Sequence, residues 1–118
     1  MKAYQRAERL VGRHLESAGH LILAYNYTVH NIGEVDIISF CHGRLYATEV
    51  KARQVDTISE SERTFDESKQ QRVLRTFRTY LASQGQSDRD LGLLAARVHW
   101  NARNEVRSIQ IDPWPLYT

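Results

Sequence analysis

The stretch GEVDIISFCHGRLYATEVKAR, residues 33–53, predicts an antiparallel β-hairpin. Its two halves alternate with a period near two and are rich in Val, Ile, Phe and Tyr, which favour strands. Between the halves lies Cys41-His42-Gly43-Arg44, whose glycine suits a tight turn. If residue 40 pairs with residue 45, the register of the whole hairpin follows.

That register brings four polar side chains together, because Asp36 is expected opposite Glu49 and Glu34 opposite Lys51. The period-two geometry of strands puts all four on one face, with opposed Cβ atoms about 4.5–5.5 Å apart. The other face is then expected to carry Val35, Ile37, Tyr46, Thr48 and Val50.

Two directly opposed carboxylates repel each other, and a divalent cation between them removes that repulsion. Hard cations such as Mg²⁺ take oxygen ligands, usually one or two carboxylates with waters and phosphate oxygens. We therefore predict that Asp36 and Glu49 are ligands of Mg²⁺, with Mn²⁺ as a second candidate. Lys51 is predicted to lie beside a metal-side water and to offset charge on a phosphodiester under attack.

These residues resemble the signature of the PD-(D/E)XK nuclease superfamily, in which an Asp on one strand precedes Glu-x-Lys on the next. Asp36, Glu49 and Lys51 would be its three signature positions. From about Ala7 to Tyr80, the chain more closely resembles the YraN-like family of small bacterial proteins. Its hallmark is a Gly-Glu-aliphatic-Asp strand followed by a Val/Thr-Glu-Val-Lys-x-Arg strand.

The resemblance implies further site residues: Glu8 on an early helix, and Lys69 and Arg72 on a later one. Two departures from the family pattern are visible. Ala7 stands where a glycine is usual, and residues 94–97 lack the aspartate often present in that strand. The resemblance also implies a restriction-endonuclease-like fold. Branched-DNA resolvases of this superfamily work as dimers, so a homodimer is one arrangement that the analogy suggests.

Length and composition are compatible with this interpretation. A chain of 118 residues with 42% hydrophobic content predicts a single domain, residues 1–118. The formal net charge of +2 and a pI near 8.9 allow a polyanionic partner without demanding one. A single cysteine, no signal-peptide pattern and no long apolar run favour a cytoplasmic protein without a membrane segment.

Hydrophobic periodicity predicts two helices and five strands in the order α-β-β-β-α-β-β, which is typical of an α/β fold with a mixed central β-sheet flanked by helices. The predicted helices cover residues 3–18 and 66–83, and the predicted strands cover 20–29, 34–40, 45–52, 91–100 and 105–112. A loop is expected at 53–64 and a turn at 101–104. The aromatic tail from Pro113 to Tyr117 is expected to pack on the domain or on a second copy.

The two acidic side chains of the first helix are expected to differ. Glu8 lies at the edge of the apolar arc, from which it can lean toward the hairpin carboxylates, whereas Glu16 projects away from it. The alternative is that Glu8 is an ordinary surface carboxylate. The family resemblance favours the first interpretation.

The second helix carries a basic face, and the loop before it is bracketed by further basic residues. We predict that a phosphate backbone runs from this loop along the helix, contacting Arg53, Arg63, Lys69, Arg72 and Arg75. The alternative is that the basic face is merely solvated, which is the commoner role of exposed arginine and lysine.

Together these features predict a metal-dependent phosphodiesterase acting on DNA, with Asp36, Glu49 and Lys51 as catalytic residues and Glu8 or Glu34 in support. One alternative is a non-catalytic nucleic-acid-binding or protein-partner module that keeps the nuclease fold. Divalent-metal binding distinguishes the two. A third interpretation is a structural charge network in which Lys51 neutralises the carboxylate pair.

Overall fold

The central feature of the architecture is a five-stranded mixed sheet with helices packed against its faces. A computed structural model describes residues 3–54, 65–86, 89–103 and 105–116. In chain order, the elements are α1 Ala3–Ser17, β1 Leu21–Val29, β2 Gly33–Cys41, β3 Arg44–Gln54, α2 Glu67–Ser83, β4 Leu91–Trp100 and β5 Val106–Pro113. This order confirms the predicted α/β, restriction-endonuclease-like fold.

The strands lie in the order β1-β2-β3-β4-β5. Neighbours are antiparallel except β3 and β4, which run parallel. Parallel neighbours need a crossover connection, and α2 lies in the segment that joins them. The sheet is mixed because of this one parallel pair, and its first three strands form a simple antiparallel meander.

The hairpin turn between β2 and β3 forms as predicted. Its two central residues, His42 and Gly43, have φ of 49° and 78°. Positive φ at both positions defines a type I′ turn, whose twist matches that of the flanking strands. Phe40 pairs with Leu45, which confirms the predicted register.

The β2–β3 ladder is shorter than expected, because its last pair is Ile37 opposite Thr48. β3 continues beyond that pair and remains bonded to β4 as far as Gln54. The two strands therefore separate just where Asp36 and Glu49 would have faced each other. Arg53 consequently lies on a strand and not in the predicted loop.

The predicted division of side chains between the two faces is wrong near the start of β2. Ile37 packs in the core on the α1 side, whereas Val35 packs in the core on the α2 side. Their β1 partners, Tyr25 and Tyr27, are divided in the same way. Between these partners Asn26 has a φ of 53°, outside the range of regular strands. The alternation is broken there, so Val35 and Ile37 do not share one face.

Each helix buries an apolar stripe against one face of the sheet. The α1 stripe repeats every four residues, at Ala7, Val11 and Leu15. The α2 stripe includes Phe77 and packs in the other core with Trp114, whose ring meets Phe65 edge-on at 5.5 Å. Within the tail, Trp114 therefore packs on its own chain. No helix of the described segments combines the length and apolar composition needed to cross a membrane.

Candidate functional site

A cavity of about 620 Å³ opens where β2 and β3 separate. It receives residues from α1, β1, β2, β3 and α2. The helices lie on opposite faces of the sheet, and the separation of the strands gives both of them access to one space. Its lining includes Glu8, Asn26, Glu34, Asp36, Glu49, Lys51, Arg53 and Lys69.

Three carboxylates converge in this cavity. Oxygen atoms of Glu8, Glu34 and Asp36 all lie within 4.8 Å of one another. Glu8 is only 5% exposed, although α1 presents Glu16 to solvent. The predicted orientation of these two α1 glutamates is confirmed. The three converging carboxylates thus come from two elements, Glu8 from α1 and both Glu34 and Asp36 from the start of β2.

Asn26 binds this acidic cluster and is absent from the sequence-based set of site residues. Its Nδ2 donates to both carboxylate oxygens of Glu8 at 3.0 Å and to Oε1 of Glu34 at 2.9 Å. One amide thus supports two carboxylates of different elements. The sequence carried one signal, because asparagine is depleted in strands and here interrupts an apolar stretch.

We expect Asn26→Gly to destabilise the metal-free protein by about 1–3 kcal/mol, because the buried Glu8 loses its side-chain donor. Glycine adopts positive φ freely, so backbone strain does not obscure the effect. Asn31→Gly is the matched control: Asn31 also has positive φ, 64°, but is exposed. Urea unfolding of both variants tests this, and equal stabilities would contradict a supporting role for the Asn26 amide.

The Asp36 carboxylate is bound by a backbone amide of β3, just beyond the end of the β2–β3 ladder. Its Oδ2 accepts a hydrogen bond from the Val50 amide at 2.8 Å. Burial, followed by the charge of Glu49, raises the pKa of Asp36 to about 8. Burial also raises the pKa of Glu8, whose carboxyl group lies within hydrogen-bonding reach of Asp36. Without a cation, burial therefore favours the uncharged form of both groups.

Glu49 is paired with two lysines. Its Oε1 lies 3.6 Å from Nζ of Lys51 and 3.2 Å from Nζ of Lys69, and the residue is only 3% exposed. The predicted pairing of Lys51 with Glu34 is wrong, because the strands separate before reaching it. The Lys51–Glu49 ion pair is one contact that the charge-network interpretation requires, and it leaves that interpretation a prediction.

Lys51 stands in an unusual environment for a lysine. Burial lowers its pKa, and the nearby Lys69 lowers it further, while Glu49 opposes both effects. A less basic ammonium group gives up a proton more readily and interacts strongly with a nearby anion. The cavity therefore combines an acidic cluster with two cationic groups at its Glu49 side.

The residues predicted to bind nucleic acid divide into three groups. Arg53 and Lys69 line the cavity, although Nη1 of Arg53 donates to the Ala52 carbonyl oxygen at 2.8 Å. Arg72 and Arg75 are exposed on α2, outside the cavity lining. Arg63 lies outside the described residues, as does Asn104 of the predicted turn.

The fold and the position of the acidic cavity place the chain in the restriction-endonuclease-like class of α/β folds. The chain belongs to the uncharacterised protein family UPF0102, whose model matches residues 7–109. That range contains every candidate site residue, and the match confirms the family resemblance carried by the hairpin.

Three relatives are similar to this chain over much of its length. A UPF0102 protein of Alkaliphilus metalliredigens is 31% identical over 91 residues, which cover 77% of this chain and 79% of the relative. A UPF0102 protein of Chlorobaculum tepidum is 37% identical over 76 residues, 64% of this chain and 58% of the relative. One of Solibacter usitatus is 35% identical over 75 residues, 63% and 57% respectively. The chain thus matches less than two thirds of the length of the last two.

Proposed function

We propose that the protein is a metal-dependent endonuclease that hydrolyses phosphodiester bonds of DNA. The observation that carries the proposal is the convergence of Glu8, Glu34 and Asp36 in a cavity that also holds Lys51 and Lys69. Folding alone gives no reason to gather three acids, since burial and, after it, the charges of neighbouring carboxylates act to raise the pKa of Asp36 and Glu8, and hydrogen bonds oppose this. A site for a cation gives one.

The donor set fits Mg²⁺ or Mn²⁺, because it consists of carboxylate oxygens in an open cavity with room for water and a phosphate group. Asp36, Glu8 and Glu34 would hold the ion, and Glu49 remains a predicted ligand from the same cavity. When bound, the ion would supply Lewis-acid stabilisation and a more acidic water. A bound cation would favour the ionised form of Asp36 and so lower its raised pKa.

The lysines supply the cationic side of the proposed reaction. Lys51 would hold the attacking water and offset the negative charge that builds up on the phosphate. Lys69 would keep Glu49 oriented through their 3.2 Å ion pair. Both ammonium groups would act beside Glu49, in the cavity that the acidic cluster also lines.

A DNA backbone is proposed to continue along α2. We expect Arg72→Ala combined with Arg75→Ala to weaken DNA binding uniformly across sequences. Each lost phosphate contact should lower the slope of log affinity against log salt by about 0.9 for duplex DNA. Fluorescence anisotropy over a salt series measures both effects.

The matched control for this pair is Arg103→Ala combined with Arg107→Ala, which removes the same charge from exposed residues near the β4–β5 turn. An unchanged affinity and slope in the α2 double variant would mean that this helix face is only solvated. A similar loss in the control would mean that net charge alone governs binding.

The decisive experiment is a cleavage assay on labelled duplex, nicked, single-stranded and branched DNA with Mg²⁺ or Mn²⁺, comparing the native chain with Lys51→Ala. We expect native cleavage that stops with EDTA. The second candidate is a non-catalytic binding module, favoured by the pairing of Glu49 with two lysines. DNA binding without cleavage, together with a thermal stability that ignores both metals, would select that candidate.

A further inference from the structure

A second basic surface lies on α1, on the opposite side of the sheet from α2. Arg6, Arg9 and Arg13 are spaced by three and four residues, so they share one face of the helix, and all three are exposed. With Tyr25 of β1 they border a concavity of about 500 Å³. We call these four residues the α1 basic surface.

Packing of aromatic rings beneath the helix shapes this surface. A Cβ atom at Gly12 would collide with the Tyr25 hydroxyl, so the glycine allows the ring to pass close beneath α1. The guanidinium carbon of Arg9 lies 3.9 Å from the centre of that ring. Arg6 is placed similarly over Trp100, at 5.4 Å. Both arginines are therefore partly ordered before any ligand binds.

The guanidinium N–H donors of the α1 basic surface are available to a ligand. Among the described residues, none of its three arginines makes a salt bridge or a side-chain hydrogen bond. Glu16 is the one acidic residue that borders the concavity. Guanidinium groups bind phosphate through paired N–H donors, so three ordered or clustered arginines suit a phosphate-rich polymer.

The surface adjoins the candidate site in the chain. Arg9 directly follows Glu8, and Tyr25 directly precedes Asn26. The helix thus contributes Glu8 to the cavity and Arg9 to the α1 basic surface, and the strand contributes Asn26 and Tyr25 to them respectively. An anionic strand that enters the cavity from the α1 side would cross the arginines first, and their charge would offset repulsion from the acidic cluster.

We propose that the α1 basic surface binds the phosphate backbone of the DNA strand that enters the cavity. This rests on the proposed function and adds a second contact region to it, on the other side of the sheet from Arg72 and Arg75. The contact is to phosphates and not to bases, because Arg9 covers one face of the Tyr25 ring and its hydroxyl end lies against Gly12. Binding here is therefore independent of base sequence.

The test is DNA binding in EDTA, which separates affinity from cleavage. Arg6→Gln combined with Arg13→Gln removes two charges, keeps the helix propensity and leaves the Arg9–Tyr25 contact in place. We expect affinity to fall about tenfold near 0.1 M salt, with a salt slope smaller by about 1.8 for duplex DNA. The control, Arg103→Gln combined with Arg107→Gln, should bind DNA like the native protein.

A second variant tests the role of the ordered guanidinium. Arg9→Lys keeps the charge and loses the planar donor group, so its affinity should lie between those of the native protein and Arg9→Gln. An affinity of the Arg6/Arg13 variant equal to that of the native protein would overturn the inference, as would an equal loss in the control. In either case native cleavage would leave the proposed function standing. A native protein that binds no DNA would overturn both.

Discussion

Lys51→Ala is expected to reduce DNA cleavage by about 10²- to 10³-fold, the usual loss when one group that stabilises developing negative charge is removed. Divalent-cation binding should persist or strengthen, because the substitution removes a positive charge beside Glu49, 3.6 Å away. Cleavage should therefore fall while divalent-cation binding does not. No purely structural role of Lys51 predicts that combination.

Single-turnover cleavage and a Mg²⁺ titration followed by thermal unfolding measure the two properties of the Lys51 variant. Arg107→Ala is the matched control, since it removes one charge at an exposed position on β5. Lys69→Ala gives a further comparison, because it removes the other cation paired with Glu49. Native rates in Lys51→Ala would exclude Lys51 from the reaction.

Asp36→Asn is expected to stabilise the metal-free protein at neutral and mildly alkaline pH. Folding raises the pKa of Asp36 from 3.8 to about 8, with burial as the main cause and Glu49 as the next. Between these values the unfolded chain releases the proton and the folded chain keeps it, so native stability falls as pH rises. Asparagine removes this dependence and can still accept the Val50 hydrogen bond.

The advantage of Asp36→Asn should be small near pH 4 and grow toward pH 8, by at most about 1.4 kcal/mol for each pH unit. Urea unfolding at pH 5 and pH 7.5 without divalent cations measures it. The control is Asp90→Asn, at an aspartate whose side chain is 77% exposed. A difference between variant and native protein that ignores pH would show that Asp36 ionises as freely in the folded state as in the unfolded one.

Addition of Mg²⁺ should reduce the stability advantage of Asp36→Asn over the native protein. A ligand present at one hundred times its dissociation constant stabilises the folded state by about 2.7 kcal/mol. The native protein should gain this stabilisation at pH 7.5, whereas the asparagine variant, lacking a charged ligand, should gain little. Equal Mg²⁺ responses in the two proteins would remove Asp36 from the proposed metal site.

Local patterns in the sequence predicted much of the fold and a part of the site. The His42-Gly43 turn and the alternation around it were sufficient for the hairpin register, which holds from Cys41 to Ile37. Helical periodicity, together with the family resemblance, placed Glu8 toward the cavity and Glu16 toward solvent. These successes share a cause: each depends on residues close in sequence and on the fixed geometry of a strand or a helix.

The composition of the acidic cluster was not predictable in the same way. The sequence-based register paired Asp36 with Glu49 and left out Asn26. In the structure, Asp36 lies in the acidic cluster with Glu8, and Glu49 forms ion pairs with Lys51 and Lys69. An extrapolated register assumes that two strands stay paired along their length. β2 and β3 do not, because β3 continues on β4 alone.

Local sequence patterns were sufficient for the order of the elements, the hairpin and its turn, the apolar stripes of both helices, and the family. Those properties follow from backbone periods of 2 and 3.6 residues, which neighbouring residues encode directly. The point at which β2 leaves β3 is visible only in the folded structure. There the sheet opens, and Glu8 of α1 and Lys69 of α2 reach one cavity. The position of that opening depends on how residues distant in sequence pack on the two faces of the sheet. The hydrophobic periods of 2 and 3.6 residues therefore do not predict it.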